Sequence, residues 1–476
     1  MGMLLKLSLI GGLLWGIGAF GAVESRYQLK PFHFESQNSL KLNLEHSYFV
    51  SSDQASYSPT GSSHLSRLSL EKSLDKKWGS GNYVFDGRAV FSPGESKLYV
   101  DISDINWQKQ WLDSRWTLGR KTFEWSKADQ LWTSGLWQPR FSWSLLRPEQ
   151  NGLTGLFWQK PFGNNLNLAL FASPIFVPDL GPQYSLVEGR FVSKNPWSVA
   201  PPRRANLPFA EDVEIYYEMD IPPLDQVFLQ NSAAFQVSWD NEFLFTKFSY
   251  AYKPVNSVYH SVYLSHSRTD IPNSDARPGV TIRPEFIYHQ IATGEVGLHF
   301  KSGWEYWLSS TYESPEEVAL DQSQWTYRRT LDTTTVVGYV GYDFDRETMG
   351  SRKLFLSYQK LFGGDKGDGG KLRDEHKSLF SPRYEYYNAV KLGFKYLNGR
   401  VSTKTYSLLS ELTYDDSQKA WAWVSGVLLD VNQSLSVSMN VDAIALLKGA
   451  SPKREDGFLN DIKANDEMNF GVSYVF

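Results

Sequence analysis

The sequence predicts an all-β protein, a transmembrane antiparallel β-barrel of about 18 strands (roughly 16–20). Two observations favour this class. Aromatic residues make up 15% of the 476 residues, although the mean hydropathy is only −0.38. Most of the chain also alternates apolar and polar residues with a period of two. A barrel in lipid has both properties. Its aromatic side chains lie in two girdles at the lipid–water boundaries, and its strands alternate between apolar residues that face lipid and polar residues that face the interior.

Composition also excludes several classes of site. The chain has no cysteine, which rules out disulfides and thiolate metal sites. The formal net charge of −4 gives no indication of nucleic-acid binding. The eight histidines are scattered and lack metal-ligand spacing, so we predict no metal site, no cofactor and no catalytic residues.

Residues 1–22 have the pattern of a secretory signal peptide. Lys6 precedes an apolar run from Leu7 to Phe20, and small residues follow. We expect cleavage after Gly21, with cleavage after Ala22 as the alternative. An uncleaved membrane anchor is disfavoured, because the run is shorter than the ~20 residues of a spanning helix. Residues 23–476 are then expected to form a single outer-membrane barrel domain.

Candidate strands are segments of about ten residues, the length that a tilted strand needs to cross a bilayer. They lie near 39–50, 63–74, 82–91, 97–107, 115–123, 152–160, 165–173, 230–239, 303–313, 333–344, 351–361, 383–397, 401–414, 419–430, 433–445 and 468–476. The crowded region 242–302 suggests about four more. This total of about 20 strands contains some false positives, so we expect 18, with 16 as the next choice. A soluble β-sandwich also alternates, but the strand length and the aromatic residues at strand ends argue against it.

The connections predict the orientation of the barrel. Tight turns such as Asn398-Gly399-Arg400 alternate with long, polar stretches such as 362–382, as short periplasmic turns alternate with long extracellular loops. Two interruptions are longer, at 124–151 and 174–229. The second contains nine prolines, which cannot donate to a sheet ladder, so it is not barrel wall. Both are candidates for a constriction or plug, and a surface loop is the alternative for 174–229.

The last eight residues carry the most specific motif. The pattern is a polar residue, a glycine two residues later, an aromatic residue three residues after the glycine, and a terminal aromatic residue. In this chain these positions are Asn469, Gly471, Tyr474 and Phe476. This segment resembles the C-terminal β-signal that the barrel-assembly machinery recognises. The resemblance implies that this machinery is a partner during insertion. The last strand must also pair with the first, because each unpaired backbone group in lipid costs several kcal/mol.

A second resemblance covers residues 118–158. Leu118-Gly119-Arg120-Lys121 is followed by Trp125, Asp129, Leu131, Trp132, Trp137, Arg140, Leu146, Arg147 and Gly155. The order resembles the Gly-Arg strand, long loop and return strand of alginate-export-type porins. The resemblance implies a monomeric 18-stranded barrel that passes acidic polysaccharide through an arginine-lined pore. The segment departs from that pattern at Lys121, where glutamine is usual, and in lacking the middle glycines. The parity of Arg120 also matches that of Trp116 and Leu118, which argues against a pore-lining position for Arg120.

The pore candidates are all cationic. They are Arg88, Arg115, Arg120, Lys121, Arg140 and Arg147. If 124–151 enters the barrel, Arg140 and Arg147 would make its narrowest point positive, and charged residues lining a pore select by sign. Four tryptophans of the same loop could form a track that stacks on sugar rings. The alternative is that the tryptophans form girdle or loop core and the arginines are solvated.

These observations predict an outer-membrane porin that passes polar solutes, including anionic saccharide-like solutes or polysaccharide. Outer-membrane lipid is the expected surrounding, and a monomer is expected rather than a trimer. The alternative is a barrel without an open pore, either an enzyme acting on lipid or peptide or an adhesion platform. No Ser/His or Asp/His constellation in the sequence supports the enzyme. Single-channel conductance separates the two hypotheses.

Overall fold

The computed structural model describes most of the chain after its N-terminal region. The described residues are 38–50, 64–181, 184–193, 195–198, 204–207, 210–265, 279–316, 324–326, 331–344, 351–364, 384–401, 404–447, 458–462 and 465–476. The predicted signal peptide at 1–22 lies outside them, and so does most of the polar stretch 362–382.

Eighteen antiparallel strands form one sheet, in which each strand pairs with the next along the chain. We number them β1 to β18: Asn38–Phe49, His64–Trp78, Gly81–Ser92, Lys97–Trp111, Ser114–Lys121, Leu153–Phe162, Leu166–Ser173, Ser232–Asp240, Leu244–Pro254, Tyr288–His299, Trp304–Pro315, Thr333–Asp343, Ser351–Gly363, Asn388–Val401, Lys404–Asp415, Ala420–Asp430, Leu435–Leu446 and Glu467–Val475. The predicted strand number is confirmed.

The sheet closes on itself through its first and last strands. β1 pairs with β18 in a register that runs from Lys41 opposite Val475 to Phe49 opposite Glu467. Closure gives every strand of the wall two neighbours, which a spanning sheet requires because lipid offers backbone groups no hydrogen bonds. The predicted pairing of the two terminal strands is therefore confirmed.

The two faces of the wall have opposite character. In β18, Phe470, Val472 and Tyr474 are 44–47% exposed on the outside, whereas Asn469 and Ser473 are buried on the inside. The same alternation exposes large apolar side chains around the outer face. They include Leu44, Leu98, Val100, Leu118, Phe248, Leu308, Leu356 and Leu392. An apolar surface of this extent is a contact surface, and on a closed barrel it is the face in contact with lipid. The protein is a transmembrane β-barrel.

The connections differ at the two ends of the barrel. One end has short turns, such as 79–80 and 112–113, whereas the other carries 122–152, 174–231 and 255–287. Gly79 has a φ of +60°, which the tight turn between β2 and β3 requires of a residue that tolerates the left-handed region. The predicted contrast between short turns and long loops is confirmed.

The region 242–302 is where the strand prediction needs a correction. It does hold four strands, but only β9 and β10 belong to the wall. The other two, Tyr259–Ser265 and Gly279–Glu285, join Tyr216–Met219 and Gln324–Thr326 in a separate four-stranded sheet built from three long loops. Strand periodicity is local and does not show which sheet a strand joins, which is why the sequence suggested about 20 strands.

Helices are short. They span Lys127–Trp132, Leu224–Phe228 and Phe458–Asp461 among the described residues. Within that part of the chain, no helix has both the length and the apolar character needed to cross a lipid bilayer.

Candidate functional site

The connection between β5 and β6, residues 122–152, folds into the barrel, and we call it the lumen loop. The indole of Trp132 donates to Ser357 Oγ of β13 at 3.1 Å, and that of Trp137 donates to Thr293 Oγ1 of β10 at 3.0 Å. Arg147 reaches Asp442 on β17. These inward-facing partners lie far apart around the wall, so the lumen loop crosses the interior.

The first half of the lumen loop has its own internal scaffold. The helix Lys127–Trp132 is capped by Ser126, whose Oγ accepts from the backbone N–H of Asp129 at 3.1 Å. The Asp129 carboxylate accepts from the backbone N–H groups of Leu136 and Trp137 at 3.0 and 3.3 Å. Burial outweighs these bonds and raises the pKa of Asp129 above its usual value.

The four tryptophans of the lumen loop are packed away from solvent. Trp125, Trp132 and Trp137 are each 1% exposed, and Trp143 is 6% exposed. The rings of Trp125 and Trp137 stack with centroids 5.5 Å apart. The idea of an accessible track for sugar rings is therefore wrong, and the loop-core alternative holds. The rings serve to bury apolar area between the loop and the inner wall.

Arg140 is held by carboxylates from two other connections. Its Nη1 pairs with a carboxylate oxygen of Glu385, and its backbone N–H donates to Asp179 Oδ1 at 2.7 Å. Burial by itself would lower the pKa of Arg140, but the Glu385 and Asp179 charges outweigh it and raise that pKa. Arg140 therefore stays charged and links the lumen loop to two other connections.

Arg147 makes a two-pronged contact with the wall. Its Nε donates to Asp442 Oδ2 at 2.9 Å, and its Nη2 donates to Asp442 Oδ1 at 2.6 Å. The same Nη2 also donates to the backbone carbonyl of Ser425 at 2.7 Å. The Arg147 and Asp442 side chains are 12% and 3% exposed, so the pair is largely removed from water.

These contacts bear on the predicted positive constriction at Arg140 and Arg147. The lumen loop does place Arg140 and Arg147 inside the molecule, but each lies against carboxylates that match its charge. An arginine paired at this range contributes little net field to a passing ion, since the opposite charge lies within the same few ångströms. Sequence periodicity could not show this, because the carboxylates come from distant segments.

A polar cavity remains between the lumen loop and the wall of β1–β3 and β16–β18, and we call it the wall cavity. Its volume is about 90 Å³. Its charged lining consists of Lys41, Arg67, Arg88 and Arg147 with Glu45, Glu71, Glu149, Asp442 and Glu467. Serine and asparagine side chains such as Ser438 and Asn469 also line it, together with the apolar Val90, Phe141, Trp143 and Leu428. Charges of both signs therefore face one another across a narrow space.

The charges of the wall cavity are organised in pairs. Arg88 on β3 lies 2.6 Å from Glu149 of the lumen loop and 3.2 Å from Asp101 of β4. Along β1 and β2, Arg67 and Glu45 approach to 2.8 Å, and Lys41 and Glu71 approach to 3.2 Å. Burial, opposed by Arg88, raises the pKa of Glu149 to about 7. Glu149 is thus a loop carboxylate that changes charge near neutral pH.

Besides Arg140, three of the cationic candidates lie outside the lining of the wall cavity. Arg120 is 8% exposed, and its Nε donates to the Gly152 carbonyl at 3.0 Å, which ties the two ends of the lumen loop together. Lys121 donates to Gln159 Oε1 at 2.8 Å. Arg115 stands opposite Gln159 near the short-turn end of β5. Only Arg88 and Arg147 of the six candidates line the cavity.

The wall supplies residues that the sequence did not single out. Asp442, Arg67, Glu45 and Lys41 lie on the inward parity of their strands, so alternation marks them as facing the lumen. Alternation marks many other polar residues equally well. What distinguishes these few is the position of the lumen loop opposite them, and no local pattern encodes that position.

The four residues of the C-terminal motif lie on both faces of β18. Asn469 is buried inside, where its Nδ2 donates to Ser47 Oγ of β1 at 2.9 Å. Gly471 also faces inward, where a Cβ would lie 2.4 Å from Ser438 Oγ. Tyr474 and Phe476 lie outside, edge to face at 4.9 Å. The motif thus combines a close inner approach to the neighbouring strands with an aromatic outer face.

One buried cluster has the residue types that a catalytic site uses. His289 Nδ1 lies against a Glu313 carboxylate oxygen, and the Tyr384 hydroxyl donates to the other oxygen of Glu313. His289 is 0% exposed and Glu313 is 1% exposed, so the pair is closed to solvent. The cluster fastens Tyr384 to the wall. Among the described residues, no group of three or more carboxylates and histidines is placed to hold a metal ion.

Comparisons with known proteins find similar folds only. No protein family and no curated protein matches the sequence. Among solved structures, OccK11 (OpdR) of Pseudomonas aeruginosa is 9% identical over 96% of this chain and 99% of that chain, with a TM-score of 0.43. OccAB3 of Acinetobacter baumannii is 10% identical over 93% and 99%, with a TM-score of 0.42.

A third similar structure is Wzi of Escherichia coli, described as an outer-membrane protein involved in group 1 capsule assembly and as a carbohydrate-binding β-barrel. It is 8% identical over 92% of this chain and 85% of that chain, with a TM-score of 0.42. These likenesses are too distant to carry a conclusion about what the present chain binds or transports.

Proposed function

We propose that the chain is an outer-membrane porin in which small polar solutes pass along the wall cavity, beside the lumen loop. The observation that carries this proposal is the contrast between two parts of the loop–wall contact. Trp125, Trp132 and Trp137 make one part a packed apolar interface. The part around Arg88, Glu149 and Arg147 is charged and hollow. A loop that only closed the barrel would gain more from apolar packing throughout, because buried charges carry a desolvation cost.

The size of the wall cavity favours small solutes. Its volume of about 90 Å³ is well below the roughly 300–1,000 Å³ of pockets that hold drug-sized ligands. A polysaccharide would pass only after the lumen loop moved, and the loop is fixed to β10, β13 and β17 by Trp137, Trp132 and Arg147. The proposed substrates are therefore small neutral, zwitterionic or singly charged solutes, and polysaccharide export is the less supported variant.

The lining favours weak selection by charge. Lys41, Arg67, Arg88 and Arg147 carry positive charge, and five carboxylates face them. A pore lined by one sign selects strongly for the opposite sign, whereas a paired lining orients a dipolar solute without excluding either ion. We expect a ratio of anion to cation permeability near unity at neutral pH.

The surroundings of the barrel belong to the same proposal. The apolar outer face is expected in outer-membrane lipid, with insertion by the barrel-assembly machinery acting on β18. Wall closure within a single chain supports a monomer, because no second copy is needed to satisfy an edge. The lumen loop acts as the constriction in this proposal, and the segment 174–229 contributes at the mouth. There the indole of Trp197 donates to Glu467 Oε2 at 2.8 Å.

A unique cysteine tests both the pore and its path. The chain has none, so Ser438→Cys on β17 places a single thiol in the wall cavity. Ser96→Cys, in the exposed turn between β3 and β4, is the matched control. In planar bilayers we expect small, stable openings from both variants. A charged methanethiosulfonate reagent should then reduce the current of Ser438→Cys alone.

Two results would count against the proposal. A folded barrel that never conducts would favour the platform or enzyme alternative. A conducting Ser438→Cys variant whose current is unchanged after complete modification would place the path elsewhere in the lumen.

A further inference from the structure

The segment 219–230, which we call the rim segment, lies at the long-loop end of the barrel just before β8. It contains the short helix Leu224–Phe228. The Phe228 carbonyl accepts from the backbone N–H of Phe176 at 2.9 Å, and Gln230 Oε1 accepts from the Tyr288 hydroxyl at 2.9 Å. Tyr288 precedes the inward His289 on β10, so by strand alternation it faces outward. The rim segment is therefore attached to the outer face of the wall.

The rim segment is unusually apolar for an exposed loop. Ile221 is 71% exposed, Leu224 is 72% exposed and Leu229 is 65% exposed. Phe228 adds a ring that is 39% exposed. Several large apolar side chains exposed together mark a contact surface, whereas a single one needs no explanation. On this protein the established contact surface of that kind is the lipid-facing wall.

A cavity of about 950 Å³ lies between the rim segment and residues 283–287. Pro223, Leu229, Pro284 and Phe286 give it apolar sides, whereas its remaining lining includes the Asp220–Arg283 ion pair with Asp225 and Glu285. Glu316 is at its border, where it accepts a hydrogen bond from the Tyr252 hydroxyl at 2.5 Å. The cavity therefore borders the outer face of β9 and β10.

The border of the cavity is continuous with the lipid face. Tyr252 is 37% exposed on the outer side of β9, and its ring stacks on Tyr288 at 5.1 Å. Phe248, two outward positions away from Tyr252 along β9, is 47% exposed. Tyrosines at strand ends mark the lipid–water boundary of a barrel. The cavity thus opens where acyl chains meet their headgroups.

We propose that the rim segment is a lipid-contacting element, and that its cavity takes an acyl chain of a membrane lipid from the leaflet at the long-loop end. The exposed apolar side chains extend the lipid belt beyond the strands. Gln226 and Gln230 stand at the cavity where polar headgroup atoms would lie. This inference requires the barrel to span a membrane and is independent of whether the barrel conducts.

Spin labels at single cysteines test the inference on the full-length chain in phosphatidylcholine vesicles. Leu224→Cys reports on the rim segment, and Gln226→Cys reports on the cavity. Leu356→Cys on the lipid face of β13 and Lys301→Cys, whose native side chain is 88% exposed in a short turn, are the lipid and water references. For each spin label we measure how much dissolved oxygen and a water-soluble nickel chelate each accelerate its relaxation. Oxygen partitions into lipid, so a high ratio of the oxygen effect to the nickel effect indicates a label in lipid.

We expect the ratios at positions 224 and 226 to be close to that at 356 and several-fold above that at 301. A ratio at 224 equal to that at 301 would overturn the proposal, because the rim segment would then be in water. A lipid-like value at 224 with a water-like value at 226 would overturn the assignment of the cavity. All four native side chains are exposed, so none of the labels requires core packing to change.

Discussion

The contact between Arg147 and Asp442 should control how firmly the second half of the lumen loop is held. Arg147→Ala removes the guanidinium hydrogen bonds to both Asp442 carboxylate oxygens and the bond to the Ser425 carbonyl. It also leaves the Asp442 carboxylate, which is 3% exposed, without this cation. The rest of the loop keeps its tryptophan packing, so we expect local release and an intact barrel.

The magnitude follows from the burial of the pair. Removing one partner of a buried ion pair costs about 3–5 kcal/mol, because the other charge stays desolvated. Arg147 is 12% exposed and borders the polar wall cavity, so the lower end of this range, about 3 kcal/mol, applies. At about 1.4 kcal/mol for each factor of ten, the detached population of the loop should rise about 100-fold.

Amide hydrogen exchange measures that population by segment. In Arg147→Ala, exchange in 143–151 should accelerate about 100-fold, while 128–137 around Trp132 and Trp137 should change much less. The double variant Arg147→Met with Asp442→Leu is the control, since replacing both charges by apolar side chains of similar size leaves no unmatched charge. The reasoning is refuted if 143–151 exchanges at the native rate in Arg147→Ala, or if the double variant exchanges as fast as the single one.

Three further predictions concern charge, close packing and a buried hydrogen bond. Lowering the pH through about 7 should protonate Glu149 and remove a negative charge from the wall cavity. The reversal potential measured in a salt gradient should then show a higher permeability of anions relative to cations, and Glu149→Gln should abolish this pH dependence. Gly393→Ala should destabilise the barrel by about 1–3 kcal/mol in thermal unfolding, because its Cβ would lie 2.1 Å from the Phe355 ring. Gly294→Ala, with open space around its Cβ, is the neutral control. Trp137→Phe should cost about 1 kcal/mol in the same assay by leaving Thr293 without the indole donor, and an unchanged midpoint would contradict it.

The wall of the barrel was predictable from the sequence because its information is local. Alternation within about ten residues sets which side chains face lipid, and the run from Met468 to Phe476 shows this in nine positions. The nine prolines in 174–229 correctly excluded that stretch from the wall, since a proline cannot donate to a ladder and so many of them do not fit a continuous strand. Antiparallel order then follows from short turns, and closure follows from the cost of an open edge in lipid.

The interior was decided only by the tertiary structure. The Arg147–Asp442 contact joins residues 295 positions apart, and the Trp132–Ser357 bond joins residues 225 positions apart. The sequence showed a cationic, tryptophan-rich loop, but not that carboxylates from remote strands would match its charges or that the wall would bury its rings. The side of a strand that a residue occupies is fixed by its neighbours in the chain. The group that it meets across a lumen is fixed by the closure of the whole barrel.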